Sequence, residues 1–195
     1  MTSEQVLQQA ALFAIEGTKT KSAEEVVTAL LAAEKEAKKQ RISYSLEQLL
    51  GTWRLCFITG TKKTRKRAGV VLGAGKYLPR SLYITITYNQ DKDSLPNMGT
   101  VQNCVDLKLL KLALTGPIKW IAPQNILAFD FTRMNLKLGG LTLYDGYIRS
   151  GKQKEASFKS DPLKQQAFFS YFYISHSAIA ARGRGGGLAL WSRFK

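Results

Sequence analysis

The sequence predicts a mainly β protein, an antiparallel β-barrel preceded by α-helices. Three observations carry this. The apolar period changes from about 3.6 to 2 near Gly51. From there on, short runs rich in β-branched and aromatic residues alternate with turn signals, with no long helical pattern between them. The runs amount to about eight to ten strands, and a single sheet of that size tends to curl and close, because closure removes its unpaired edges.

The helical part comes first. Val6, Ala10 and Phe13 recur at helical spacing, and Leu7 and Ala11 widen their face. The stretch EGTKTK, residues 16–21, breaks the pattern. Ser22 and Glu25 then make a capping-box pair, followed by Val26, Val27, Leu30, Leu31, Ala33 and Ala37, with Glu34 and Lys38 as an i,i+4 pair. This predicts a helix over about 22–40. Ser45 caps a further turn, Leu46 to Leu50. The expected division is a helical segment over 1–42 and a barrel domain over 43–195.

In the barrel part, Leu82, Ile84, Ile86 and Tyr88 alternate with polar partners, and so do Leu127, Phe129 and Phe131. Met134, Leu136 and Leu138 point one way. In FFSYFYI, Phe168, Ser170, Phe172 and Ile174 are expected to oppose Phe169, Tyr171 and Tyr173. Turn signals are read at 89–97, Gly116-Pro117, Gly139-Gly140, Asp145-Gly146 and 160–162. The stretch RGRGGG, residues 182–187, occurs once, between strand-like segments. A disordered Arg-Gly tail would repeat and would be poor in apolar residues. The glycines of 183–187 are therefore expected to make a turn or bulge.

Charge is the second guide. The chain of 195 residues carries 29 Lys and Arg against 14 Asp and Glu, a net +15. Residues 1–50 hold six basic and seven acidic side chains, and residues 51–195 hold 23 and seven, so the excess belongs to the barrel part. It calls for an anionic partner, a nucleic acid or an anionic lipid surface. Cys56 and Cys104 lack neighbours at metal-ligand spacing and are expected to be reduced core residues. No apolar run is long enough to span a membrane as a helix. The first residues resemble neither a secretory signal nor a transit peptide.

Three segments carry a family resemblance. LLGTWRLCFITG contains Leu50, Gly51, Trp53, Leu55 and Phe57; GTVQNCV contains Gly99, Val101 and Asn103; YFYISHSAIAARGRGGGLALW closes the chain. In this order they resemble the plastid lipid-associated proteins, or fibrillins. The chain departs from that pattern at Ser175, His176, Ser177 and Ile179, which marks a divergent branch, and the first 45 residues lie outside the match. The resemblance implies a lipocalin-like barrel and binding of lipids, carotenoids or prenylquinones. It also implies peripheral association with thylakoid membranes or lipid globules. With no transit peptide visible, it implies a cyanobacterial member, thylakoid-associated or cytoplasmic, or a processed plastid form.

Candidate site residues follow. Lys62, Lys63, Arg65, Lys66 and Arg67 form a basic run expected at a hairpin tip after the first strand, where each charge near an anionic surface contributes about 1 kcal/mol. Trp53, Phe57, Phe129, Phe131 and Phe172 are the expected wall of an apolar ligand pocket inside the barrel. The likeness to lipocalins implies that an arginine late in the chain covers the first-strand tryptophan, which assigns Arg182 to Trp53 and leaves Arg184 facing solvent. No enzymatic role, metal or cofactor is expected: His176 is the single histidine, and Asp106, Asp130 and Asp145 stand isolated. Two alternatives stay open, a basic nucleic-acid-binding barrel and a scaffold with a packed barrel. The first would need stacking aromatics beside the cations, and Tyr77 and Tyr83 are the nearest.

Overall fold

The structure is a computed structural model, and it describes all residues except 18–20, 61–74, 91–94 and 195. It is mainly β. The helices are α1 (Ser3–Glu16), α2 (Ala23–Gln40) and a short α3 (Gly151–Ser157). The strands are β1 (Gly51–Ile58), β2 (Lys76–Tyr77), β3 (Tyr83–Asn89), β4 (Met98–Leu107), β5 (Leu110–Ile121), β6 (Ile126–Phe129), β7 (Arg133–Leu138), β8 (Leu141–Tyr147), β9 (Ala167–Ile174), β10 (Ala178–Gly183) and β11 (Leu188–Arg193). No described helix is long and apolar enough to cross a membrane.

Eight strands close into an antiparallel barrel in the order β4-β3-β1-β11-β10-β9-β6-β5, with β5 pairing back onto β4. β5 is long enough to carry two partners on its other edge: Ile118 to Ile121 pair with β6, and Leu110 to Thr115 pair with β7. The β7–β8 hairpin therefore continues the sheet beyond the closed wall. The chain bends between β6 and β7 against Gly116, where a Cβ would lie 1.9 Å from the Asp130 carbonyl oxygen. Gly116-Pro117 is thus not a turn. It is the place in β5 where two backbones press together, and Asp145-Gly146 likewise lies within β8.

Two cores share the wall. Inside the barrel lie Trp53, Ile86, Tyr88, Val101, Ile118, Trp120, Leu127, Phe129, Tyr171, Ile179 and Trp191, with Phe131 and Phe169 packed against them. Its rings stack closely, as in Phe129 and Phe169 at 5.0 Å, and the Tyr88 and Tyr171 hydroxyls pair at 2.6 Å. A 3-10 turn at Glu47–Leu49 plugs one end with Leu46 and Leu49, and the Trp53 indole donates to the Leu49 carbonyl at 2.7 Å. Asn125 pins the lead-in to this plug, donating to the Ile42 carbonyl and accepting from the Tyr44 amide. The second core lies outside the wall, where Leu7, Ala10, Ala11, Val26 and Leu30 of the helices cover Cys56, Phe57, Phe172, Leu188 and Leu190.

α1 and α2 both start with capping boxes, the expected Ser22 with Glu25 and, in addition, Thr2 with Gln5. The RGRGGG stretch is the β10–β11 turn, with Gly186 at φ +85° and the Gly183 amide donating to the Gly187 carbonyl. Cys56 and Cys104 are free and buried. Burial pushes the Cys56 thiol well above its usual range, so it is an inert core group.

Candidate functional site

At the end opposite the plug, four strands finish in register and build a lip. β4 and β5 pair through Leu107 and Leu110, β5 and β7 through Leu110 and Leu138, and β7 and β8 through Leu138 and Leu141. One row of four leucines thus crosses the sheet at its very end. Two strand positions further in, Val105, Leu112, Leu136 and Tyr144 form a parallel row on the same face. Alternation from Val101 and Ile118 shows that this is the face that lines the barrel interior further down.

At the lip that face is open. All four leucines of the end row are exposed, and the turn residue Leu109 and the bulge residue Leu143 join them; Leu109 and Leu141 reach 71% and 68%. The two hairpin tips are tied together, because the Gly139 amide donates to the Leu109 carbonyl at 2.8 Å. The rows between the leucines carry the cations. Lys111 and Lys137 face each other across β5 and β7, Lys108 sits in the β4–β5 turn, and Asp106 reaches Lys111 at 3.8 Å. So many exposed leucines in one contiguous patch is unusual for a free surface.

The expected site residues separate into groups. Trp53, Phe129 and Phe131 are interior, as expected, but they belong to a packed layer of rings. Phe57 and Phe172 are not pocket residues, since they face outward under the helices. For Phe57 the cause is a bulge on β1; Phe172 alternates with the interior Tyr171 and so faces outward, and a bulge on β9 turns Tyr173 out beside it. The register slips between Leu55 and Phe57 on β1, and between Ala180 and Ala181 where β10 meets β9. Each slip inverts the alternation beyond it. Tyr173 consequently lies beside Phe172 rather than opposite it. The run Lys62, Lys63, Arg65, Lys66 and Arg67 lies outside the described residues. Its described flanks, Gly60 and Gly75, sit at the lip end of β1.

The closure of Trp53 by Arg182 is corrected. Arg193 lies over the Trp53 ring, 4.3 Å from its centroid, and donates to the Leu50 carbonyl at 2.7 Å. Register explains this: Trp53 pairs with Arg193, whereas Arg182 pairs with Leu188 at the far end of the same hairpin. Arg182 instead binds both oxygens of Glu34 on α2 and donates to the Gly186 carbonyl. Arg184 is exposed, as expected, yet donates to the carbonyls of Gln166 and Lys164.

Sequence reasoning missed the lip leucines. Their signal is present: leucine alternates with lysine or threonine at 107–109, 110–112, 136–138 and 141–143. No protein-family model matches the chain, and no curated protein matches it.

Proposed function

We propose that this protein is a non-enzymatic, peripheral lipid-surface protein that docks its leucine lip into anionic membrane or lipid-globule surfaces. The observation that carries the reading is the row Leu107, Leu110, Leu138 and Leu141, exposed at one end of the barrel and interleaved with Lys108, Lys111 and Lys137. Leucine enters the acyl region while lysine stays at the headgroups, an arrangement suited to lying on a membrane rather than spanning it. Half-exposed leucines give on the order of 1 kcal/mol each on insertion, and cations add about 1 kcal/mol each near an anionic surface. The sequence places five more cations between Gly60 and Gly75, whose positions are at the same end. The resemblance to plastid lipid-associated proteins points the same way and suggests thylakoid membranes or lipid globules as the surface. The barrel interior, filled with rings, serves as a rigid support for the lip.

The test is co-sedimentation with vesicles. The intact chain should pellet with phosphatidylglycerol vesicles and much less with phosphatidylcholine. Leu109→Ser together with Leu141→Ser should lower the affinity by about tenfold or more, with folding unchanged because both sites are exposed. Binding that survives the double substitution would move the contact away from the lip.

A further inference from the structure

A second site lies on the outer wall, between α1 and strands β1, β3 and β11. It is a cleft of about 620 Å³, within the range of small-molecule sites. We propose that it binds an anionic amphiphile, a carboxylate or phosphate head on a single apolar chain. This does not rest on the lip.

The case for an anionic head begins with two arginines. Arg54 and Arg80 line the cleft, and no carboxylate does so among the described lining residues. Their positions are set by the fold. Arg54 is nine-tenths buried, stacks 3.9 Å from the Tyr83 ring centroid and donates to the Arg80 carbonyl at 2.6 Å. Arg80 crosses the C-terminus of α1 and donates one bond, to the Ile15 carbonyl at 3.0 Å. It can lie there because Gly17 has no side chain: a Cβ would be 2.2 Å from its guanidinium. The Arg193 guanidinium lies on the other face of the wall, over Trp53. With one donor used among the described residues, Arg80 keeps most of its five donors for a ligand.

A second observation points the same way. Ser192 lines the cleft and is 1% exposed, yet its hydroxyl has no hydrogen-bond partner among the described residues. A buried hydroxyl left unpaired costs about 1–3 kcal/mol, which a ligand oxygen would recover. The case for an apolar chain comes from the opposite wall. Leu12 and Ile15 of α1 and Phe194 after β11 all face the cleft and are all exposed.

Calorimetric titration of the intact chain tests this, with four probes below their micellar concentrations: dodecanoate, dodecyl phosphate, dodecyl maltoside and inorganic phosphate. Dodecanoate, dodecyl phosphate or both should bind, and which one does distinguishes a fatty-acid source from a phospholipid-like source. Inorganic phosphate and dodecyl maltoside should bind at least about tenfold more weakly. Arg80→Gln should weaken binding by about tenfold, since a charge-assisted bond is lost. Leu12→Glu, on an exposed helix face, should weaken it as much by placing a carboxylate in the cleft, and near-ultraviolet circular dichroism checks that both variants fold. Leu109→Ser with Leu141→Ser should leave it unchanged. Maltoside binding as tightly as the anions would overturn the role of the arginines. Inorganic phosphate matching dodecyl phosphate would remove the apolar chain. Silence from all four probes, or binding that Leu12→Glu leaves intact, would overturn the site.

Discussion

Arg182 and Arg193 stand at opposite ends of the last hairpin, and their chemistry differs accordingly. Arg193 covers an indole face, an interaction that does not depend on any titrating group, and it satisfies the Leu50 carbonyl. Arg182 clamps the carboxylate of Glu34 and so fastens α2 to the barrel. The hydrogen bond from Arg182 holds the Glu34 carboxyl below the usual carboxylate range, against the opposing effect of its burial. A carboxyl whose folded pKa is depressed stabilises the fold above its unfolded pKa of about 4.3, and that contribution is lost as the pH falls. Both Arg182→Ala and Arg193→Ala should therefore cost about 1–3 kcal/mol at neutral pH in urea unfolding. Below about pH 4 the cost of Arg182→Ala should shrink, while that of Arg193→Ala should persist. A cost of Arg182→Ala that does not change with pH would show that its carbonyl bond to Gly186, and not Glu34, matters.

At the level of elements, strand existence was legible because alternation and turn residues are local signals. The capping box at Ser22 and the glycine turn at 183–187 are local in the same way. What escaped was parity. The bulge at Leu55/Phe57 depends on the partner strand, so strict alternation from Trp53 sent Phe57 to the wrong side of the wall, whereas Phe172 was assigned to the wrong face outright, since alternation from Tyr171 already turns it outward. Glycine was also ambiguous. Gly116 reads as punctuation in the sequence, but the fold uses it for close approach of the Asp130 backbone. Gly183, by contrast, would bring a Cβ no nearer than 3.7 Å to any atom and has no positive φ. Gly116→Ala should thus cost about 1–3 kcal/mol, because β5 and the β6–β7 bend must separate, whereas Gly183→Ala should stay within about 0.5 kcal/mol. Thermal melts of the two variants distinguish these outcomes, and equal shifts would mean that the bend tolerates a side chain.

Across the whole molecule, the two ends of the barrel are chemically different. The plugged end buries Leu46 and Leu49 under Trp53, and the β9–β10 turn there exposes His176. The other end presents the leucine lip and the β10–β11 turn with Arg184. The leucine pattern of the lip was visible in the chain, but the joining of its two hairpins and the cleft under α1 were not. Lip and cleft each join residues from strands or helices far apart in sequence, such as Leu107 with Leu141, or Leu12 with Arg54. On the proposed lipid surface, the polarity of the barrel sets its orientation. A polarity-sensitive fluorophore on Leu109→Cys should enter the acyl region of phosphatidylglycerol vesicles, shift to the blue and be quenched by brominated chains. The same fluorophore on His176→Cys, at the opposite end, should stay in water and escape quenching. Cys56 and Cys104 are buried, so the unsubstituted chain sets the labelling background. Added salt should release the protein in part, since only the lysine contribution is screened, with a Debye length of about 8 Å at physiological ionic strength. Equal quenching at both positions would mean that the barrel lies on its side, with the cleft of α1 and not the lip against the lipid.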